Sequence, residues 1–103
     1  MPGVFTPTEA FLAIRAGASA LKFFPASVLG PKGIAAIGAV LPKDIVVGVV
    51  GGISEADFSD YARIGVSTFG LGSSLYKPGM SAAEVGERAA AAVSAWDRVF
   101  GKA

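Results

Sequence analysis

A single lysine interrupts an apolar stretch near the start of the chain. The run Ala20-Leu21-Lys22-Phe23-Phe24-Pro25 is typical of a buried strand, and of the nine basic residues Lys22 alone is predicted to lie within a strand. An amine that is desolvated among aromatic side chains loses its proton more readily and can then attack a carbonyl to form a Schiff base. Two structural alternatives stay open. Lys22 could extend to the strand end, or it could pair with an acid.

Two glycine-rich turns follow the next two predicted strands. Gly51-Gly52 follows an apolar run at 45–50, and Gly70-Leu71-Gly72-Ser73-Ser74 follows a shorter strand at about 66–71. Backbone N–H groups in such turns can hold a phosphate, because glycine lets a ligand approach the main chain. The same turns also occur without a ligand, so that alternative stays open. The dinucleotide fingerprint Gly-x-Gly-x-x-Gly is not completed.

Short strands alternate with helices along the whole chain. Strands are predicted at 3–5, 20–24, 45–50 and about 66–71, and helices begin near Thr6, Pro31, Ser54 and Ser81. Thr6 and Glu9 are predicted to form a capping box, and 27–30 to form a loop. Gly17, Pro42 and Gly65 are predicted to end the first three helices. In the second strand, Leu21 and Phe23 face one side, and Ala20, Lys22 and Phe24 face the other. The third strand is apolar at nearly every position and is predicted to be buried on both faces. The predicted apolar faces of the four helices comprise Phe11 and Ile14; Ile34, Ile37, Val40 and Leu41; Phe58, Tyr61 and Ile64; and Val85, Ala89, Val93, Trp96 and Phe100.

Four βα units predict an α/β fold with a parallel sheet and right-handed crossovers. The units are short enough for a (β/α)8 TIM barrel, but a complete barrel needs roughly 200 residues or more and this chain has 103. We therefore expect one partial domain over residues 1–103 that forms half of a barrel, either the C-terminal half of a larger enzyme or a unit that associates to close. Functional residues of barrels lie at the carboxyl ends of the strands, where this chain carries Thr6, Lys22 and the two glycine turns.

Composition excludes several classes of function. The net charge is +1, which does not favour nucleic acid or an anionic membrane as partner. The chain has no Cys and no His, which removes disulfides, thiolate chemistry, cysteine metal sites and the usual general base. The mean hydropathy of +0.58 is high for 103 residues and indicates faces that something else must cover. With no signal peptide and no membrane-spanning run predicted, we expect a cytoplasmic protein.

Four segments together resemble the class I 2-keto-3-deoxy-6-phosphogluconate/6-phosphogalactonate aldolases, and most closely the 6-phosphogalactonate type. They occur in the family's order and spacing, and they are Pro2-Gly3 through Thr6-Pro7-Thr8-Glu9-Ala10-Phe11, Gly17-Ala18 with Ala20-Leu21-Lys22-Phe23-Phe24-Pro25 and Gly30-Pro31, Ala39-Val40-Leu41-Pro42 leading to Val50-Gly51-Gly52-Ile53, and Gly70-Leu71-Gly72-Ser73-Ser74-Leu75-Tyr76.

The resemblance implies strands 5–8 of a (β/α)8 barrel that is usually a homotrimer. It implies that Lys22 is the Schiff-base lysine, that Gly52, Gly72 and Ser73 bind the substrate phosphate, and that Val50 lies near the substrate. The implied reaction is the reversible cleavage of 2-dehydro-3-deoxy-6-phosphogalactonate to pyruvate and glyceraldehyde 3-phosphate, without a metal or other cofactor. The family's acid–base glutamate and an arginine that contacts substrate belong to the other half of the barrel.

Other functions remain open at this stage. A non-catalytic half-barrel could bind a phosphate ligand or only assemble with a partner, since all eight carboxylates are predicted in helices or loops and none on a strand. Another phosphate-binding barrel, such as an epimerase or a thiamine-phosphate synthase relative, would give Lys22 no role. The sequence leaves open the galacto or gluco epimer and the oligomeric state.

Overall fold

Four parallel strands form one sheet, and a helix follows each strand. The structure is a computed structural model, and it describes residues 1–101. The strands are β1 (Gly3–Val4), β2 (Ala20–Phe23), β3 (Val46–Val50) and β4 (Thr68–Gly70). The helices are α1 (Pro7–Arg15), α2 (Ala26–Gly38), α3 (Phe58–Ala62), which a 3-10 helix (Glu55–Asp57) precedes, and α4 (Ala82–Phe100).

The strands are arranged in their sequence order, β1-β2-β3-β4, and every neighbouring pair is parallel. Crossovers of one hand between sequential strands place all helices on the same face of the sheet. A doubly wound sheet would instead reverse its strand order and carry helices on both faces. The sheet therefore has the architecture of half of a (β/α)8 barrel, with a helix-covered face and an inner face.

The core lies between the sheet and the helices. The side chains of Leu21 and Phe23 on β2 and Val49 on β3 are fully buried there. They pack in one cluster with helix residues that include Ala10, Ile34, Ile37, Phe58, Tyr61 and Ala95. The predicted alternation along β2 is confirmed, because Leu21 and Phe23 face the helices while their neighbours face the other way.

The inner face of the sheet is largely uncovered. Phe24, just beyond β2, is 53% exposed, and Val46 of β3 is 48% exposed. The prediction that β3 is buried on both faces is therefore wrong. On the inner face the Met1 side chain packs over Gly48, but it leaves Val46 and Phe24 exposed. A closed barrel would cover this face with strands from the opposite wall.

Local signals predicted most helix ends correctly. The Thr6 hydroxyl accepts from the Glu9 N–H at 3.1 Å, and the Glu9 carboxylate accepts from the Thr6 N–H at 3.1 Å, which is the predicted capping box. Gly17 ends α1 with a φ of 105°, and the Ala18 N–H donates to the Ala13 carbonyl at 3.0 Å. This is a Schellman motif, which requires a left-handed backbone that glycine adopts readily.

The second helix differs from its prediction at both ends. The predicted loop at 27–30 is a turn of helix that begins at Ala26, and Gly30, with φ 70° and ψ 169°, separates it from the helix that Pro31 begins. The helix ends at Gly38, and i→i−3 hydrogen bonds from Val40 and Leu41 continue the turn towards Pro42. The short first turn carries no side-chain cap, so no local signal identified it.

Three predicted core positions are exposed. Phe11 is 40%, Val40 59% and Val93 62% exposed. In α4 the buried positions are instead Ala92 and Ala95, and this helix packs mainly against α3 and the 3-10 helix that precedes it. None of the helices in residues 1–101 combines the length and apolar character that a membrane span requires.

Candidate active site

Lys22 lies on the inner face with a glycine on each side. In the register of the sheet it pairs with Gly3 of β1 and with Gly48 of β3, and Gly48 pairs in turn with Thr68 of β4. Neither immediate neighbour has a side chain, and a Cβ on Gly3 would lie 3.8 Å from the Lys22 Cε atom. The Met1 side chain packs over Gly48 instead, where a Cβ would lie 2.5 Å from the Met1 Cε atom, so main chain and the Met1 methyl group flank the half-buried Lys22.

The surroundings of Lys22 differ from those predicted. The side chain is half-buried, and it is not desolvated among aromatics: Phe23 faces the core and Phe24 is 53% exposed. Within residues 1–101 the Lys22 ammonium has no ion pair and is not a buried unpartnered atom. Pairing of Lys22 with an acid of the described residues is thereby excluded.

A cleft of about 480 Å³ opens where β3 and β4 end. Five predicted site residues line it, and they are Val50, Gly51, Gly52, Gly72 and Ser73. The other lining residues are Phe24, Ile53, Ser54, Ser74, Lys77 and Arg88. The parallel strands bring the two glycine turns to one edge of the sheet, as expected from their positions in the sequence.

The turn after β3 needs glycine for both its backbone and its packing. Gly51 and Gly52 have φ values of 98° and 71°. A Cβ on Gly51 would lie 2.9 Å from the Phe24 ring, and a Cβ on Gly52 would lie 2.7 Å from the Ser27 Oγ atom. The Ser27 N–H also donates to the Gly51 carbonyl at 3.1 Å, so the turn is fixed against the start of α2.

The turn after β4 is a short helical turn with free donors. The Gly72 carbonyl accepts from the N–H groups of Leu75 at 2.9 Å and Tyr76 at 3.0 Å. The N–H groups of Ser73 and Ser74 precede these donors, and neither has a backbone acceptor within the described residues. Free backbone donors at the start of a helical turn are suited to an anion.

Two cations at the cleft were missed at the sequence level. Lys77 and Arg88 line it, and the Arg88 Nη1 atom donates to the Ser74 carbonyl at 3.0 Å. The proximity of Lys77 to the glycine turn was a usable signal, because it follows Ser74 by three residues. Arg88 had no such signal, since the path of α4 past the turn brings it there. Both charges favour an anionic ligand.

Thr6 does not reach this cleft. Its hydroxyl is engaged with Glu9 at the start of α1, donating to the carboxylate at 3.3 Å and accepting from the N–H. Val50 does line the cleft, and its side chain packs over Gly70, where a Cβ would lie 2.6 Å from a Val50 methyl. Thr6, after the first strand, therefore caps α1, whereas the turns after β3 and β4 form the cleft.

No strand in residues 1–101 carries a carboxylate that could act as a base. All eight lie in helices, turns or loops of residues 1–101, and that part of the chain has no cluster of three or more potential metal ligands. Asp57 and Asp60 lie near Tyr61 instead. Burial raises the pKa of the Tyr61 hydroxyl above its usual value, and the charges of Asp57 and Asp60 raise it further.

Comparison with known proteins places the chain in a family. The profile described as "Aldolase: KDPG and KHG aldolase" matches residues 1–85. The chain belongs to the KDPG and KHG aldolase family. The resemblance seen in the four sequence segments is thereby confirmed.

Two relatives and two solved structures define the extent of this similarity. The chain is 67% identical to a probable 2-dehydro-3-deoxy-6-phosphogalactonate aldolase of Rhizobium meliloti (strain 1021), with 98% of this chain and 48% of the relative covered. It is 47% identical to the 2-dehydro-3-deoxy-6-phosphogalactonate aldolase of Escherichia coli (strain K12), with 92% and 46% covered. A structure described as native KDPGal matches with a TM-score of 0.92 and 45% identity over 97% of this chain and 48% of that chain. A thiamine phosphate pyrophosphorylase from Pyrococcus furiosus, 23% identical with a TM-score of 0.74, covers 95% of this chain and 48% of its own and shares the fold alone.

The chain thus spans about half the length of the relatives it matches. The predicted α/β fold with four βα units, half of a (β/α)8 barrel, is confirmed by this match. A further structure, a designed cube-shaped protein cage made by fusing symmetric oligomeric domains, matches with a TM-score of 0.93 and 44% identity over 98% of this chain and 37% of that chain.

Proposed function

We propose that this chain supplies the nucleophile and phosphate site of a class I aldolase. The substrate is 2-dehydro-3-deoxy-6-phosphogalactonate, and the products are pyruvate and glyceraldehyde 3-phosphate. The observation that carries the proposal is the row Gly3, Lys22, Gly48, in which neither strand neighbour of Lys22 has a side chain and Lys22 has no ion pair within residues 1–101. The cleft with the two glycine turns and two cations lies at the carboxyl end of the same sheet.

In the proposed reaction the Lys22 side chain acts as the nucleophile. The Lys22 Nζ atom attacks the C2 ketone and water leaves, which forms a protonated imine. The C3–C4 bond then breaks, its electron pair moves towards the imine nitrogen as an enamine, and the C4 hydroxyl loses its proton as glyceraldehyde 3-phosphate departs. Protonation of the enamine at C3 and addition of water return pyruvate and free Lys22. The imine is the electron sink, so neither a metal nor another cofactor takes part.

The phosphate group of the substrate occupies the cleft in this proposal. The N–H groups of the turns at Gly51-Gly52 and Gly72-Ser73 donate to it, and Val50 contacts the carbon chain. Val50 lies two residues beyond Gly48, the register partner of Lys22, a distance of about 7 Å along the strand. A six-carbon chain bonded at C2 and phosphorylated at C6 can span this interval. Thr6, which was predicted as a site residue, is not part of this proposed phosphate site, because its hydroxyl caps α1 and it does not line the cleft.

The proton acceptor comes from outside the described residues in this proposal. A glutamate of the complementary half of the barrel takes that role, and that half, or a second copy of the chain, covers the inner face. The complete protein is proposed to be a cytoplasmic homotrimer in galactonate degradation, and residues 1–103 are proposed to be one partial domain of it.

Borohydride trapping with pyruvate tests the role of Lys22. The chain is mixed with the segment of the Rhizobium meliloti relative that it does not match, then treated with pyruvate and borohydride, and peptides are mapped by mass spectrometry. We expect the reduced adduct on Lys22, no adduct in Lys22→Met, and an unchanged yield in Lys32→Met, a control at an exposed lysine of α2. An adduct of equal yield in Lys22→Met would refute the assignment.

A second function, a non-catalytic half-barrel that binds a phosphate ligand, is favoured by one observation. None of the eight carboxylates lies on a strand of the described chain. Sedimentation analysis combined with calorimetric titration of a sugar phosphate separates the two functions. A stable assembly that binds the phosphate ester yet neither forms the pyruvate adduct nor releases pyruvate supports this second function.

A further inference from the structure

We propose that Arg88 is a positioning residue that holds the two glycine turns at a fixed separation. This inference rests on the proposed function of the cleft, because the two turns are there taken to grip one phosphate group from both sides. The link is a chain of two hydrogen bonds. The Arg88 Nη1 atom donates to the Ser74 carbonyl at 3.0 Å, and the Ser74 hydroxyl donates to the Ile53 carbonyl at 2.8 Å.

The three residues joined by these two hydrogen bonds belong to different parts of the site. Arg88 is on α4, Ser74 is in the turn after β4, and Ile53 directly follows Gly52 in the turn after β3. Ile53 is 5% exposed and packs in the core, so its carbonyl is a fixed anchor. Ser74 is the one residue that meets both neighbours, by its hydroxyl on one side and its carbonyl on the other.

The link matters because the tip of the turn after β4 has few packing contacts of its own, although Leu71 before it packs against the core. Gly72 and Ser73 are exposed, and a Cβ on Gly72 would meet nothing within 4 Å. A turn with so few packing contacts takes its position from hydrogen bonds. An anion held by two sets of backbone donors binds tightly only when their separation is fixed in advance, because ordering a loose turn weakens binding.

Arg88 could instead act directly, as a charge that attracts the anion. The two roles differ in what they require of Ser74. If Arg88 acts directly on the anion, phosphate binding does not depend on the Ser74 hydroxyl. If Arg88 acts by positioning, phosphate binding weakens when either hydrogen bond is removed. In the positioning role, removing the second hydrogen bond after the first weakens phosphate binding little further. A double-mutant cycle measures this non-additivity as a coupling energy.

The experiment measures binding of inorganic phosphate by NMR titration for the wild type, Arg88→Met, Arg88→Lys, Ser74→Ala and the double variant of Arg88→Met with Ser74→Ala. Pyruvate trapping by borohydride is measured in the same set, since pyruvate carries no phosphate. Arg98→Met, at an exposed position further along α4 that does not line the cleft, is the matched control.

We expect phosphate binding to weaken about fivefold in Arg88→Met and in Ser74→Ala, and no further in the double variant. Arg88→Lys, which keeps a donor, retains most of the affinity, and Arg98→Met binds as the wild type does. Pyruvate adduct yield stays within twofold throughout, whereas general unfolding would reduce it in parallel.

Three results would overturn the inference: wild-type phosphate binding in Ser74→Ala, single losses that multiply in the double variant, or adduct yields that fall together with phosphate binding. The proposed function has a different failure. Absence of the pyruvate adduct in the wild type, with the phosphate coupling intact, would refute the role of Lys22 and leave that of Arg88 standing.

Discussion

Replacing Gly72 by alanine tests phosphate binding in a variant that is expected to keep its stability. Gly72 lies at the turn after β4, where it lines the cleft and its carbonyl accepts two N–H groups. Its φ is outside the left-handed region, and an added Cβ would meet nothing within 4 Å. The folded chain therefore accommodates alanine without strain and without displacing a neighbour.

The expected change in stability is small and favourable. Replacing glycine by alanine at a compatible position stabilises a protein by ~0.4–1 kcal/mol, chiefly because the unfolded chain loses conformational freedom. For a chain of 103 residues this raises the melting temperature by a few degrees at most. Gly52→Ala contrasts with this. Its φ is 71° and its Cβ would lie 2.7 Å from the Ser27 Oγ atom, so that variant loses stability.

The expected change in phosphate binding is large and unfavourable. If the N–H groups at 72–74 approach the anion closely, a methyl group on this turn holds the ligand away from them. Loss of one hydrogen bond to a charged ligand costs ~1.5–3 kcal/mol, which weakens binding about tenfold to a hundredfold. Gly72→Ala is thus expected to fold at least as well as the wild type and to bind phosphate poorly.

The assay pairs thermal unfolding with NMR titration of inorganic phosphate and glyceraldehyde 3-phosphate. Gly86→Ala is the matched control, because Gly86 lies within α4, outside the cleft, and its Cβ would also meet nothing within 4 Å. That control gains ~1 kcal/mol of stability from helix propensity and binds normally. Unchanged phosphate affinity in Gly72→Ala would refute the assignment of this turn as a phosphate cradle.

Two further predictions concern stability. Phe58→Ala removes a side chain that is 3% exposed, and we expect the free energy of unfolding in urea to fall by ~3–5 kcal/mol; a loss below ~1 kcal/mol would contradict the described core. The raised pKa of Tyr61 means that the folded state retains the proton which the unfolded state releases above pH 10.0, so stability is full below that pH and decreases as the pH rises through the folded-state pKa. Tyr61→Phe should flatten this alkaline decrease, whereas Tyr76→Phe, at an exposed tyrosine, should leave it unchanged; an equal decrease in Tyr61→Phe would show that another group is responsible.

Local sequence signals predicted the elements where the controlling interactions are local. The capping box at Thr6 and Glu9 involves residues three apart, and the stops at Gly17 and Gly65 depend on one backbone angle each. The strand containing Lys22 was predicted from its short apolar run, and alternation assigned its two faces. These features depend on neighbours in the chain, so the sequence contains all the information that they need.

Burial was predicted less well, because it depends on what lies opposite. The same apolar pattern describes Phe11 and Ile14 in α1, yet Phe11 is 40% exposed while Ile14 packs against the core. Val46 of β3 is apolar and exposed because no described residue packs over its part of the inner face. A periodic pattern identifies candidate faces but does not state which of them has a partner.

The sequence by itself determined the order of the elements, the family, and the positions of Lys22 and the two glycine turns at strand ends. Only the tertiary structure decided that Gly3 and Gly48 flank the amine, because strand register sets which residues are neighbours. It also decided that Arg88 reaches the cleft, since the path of a 19-residue helix past the sheet edge brings together residues 14 positions apart. Contacts of this kind arise from packing between elements, and no local pattern in the chain encodes them.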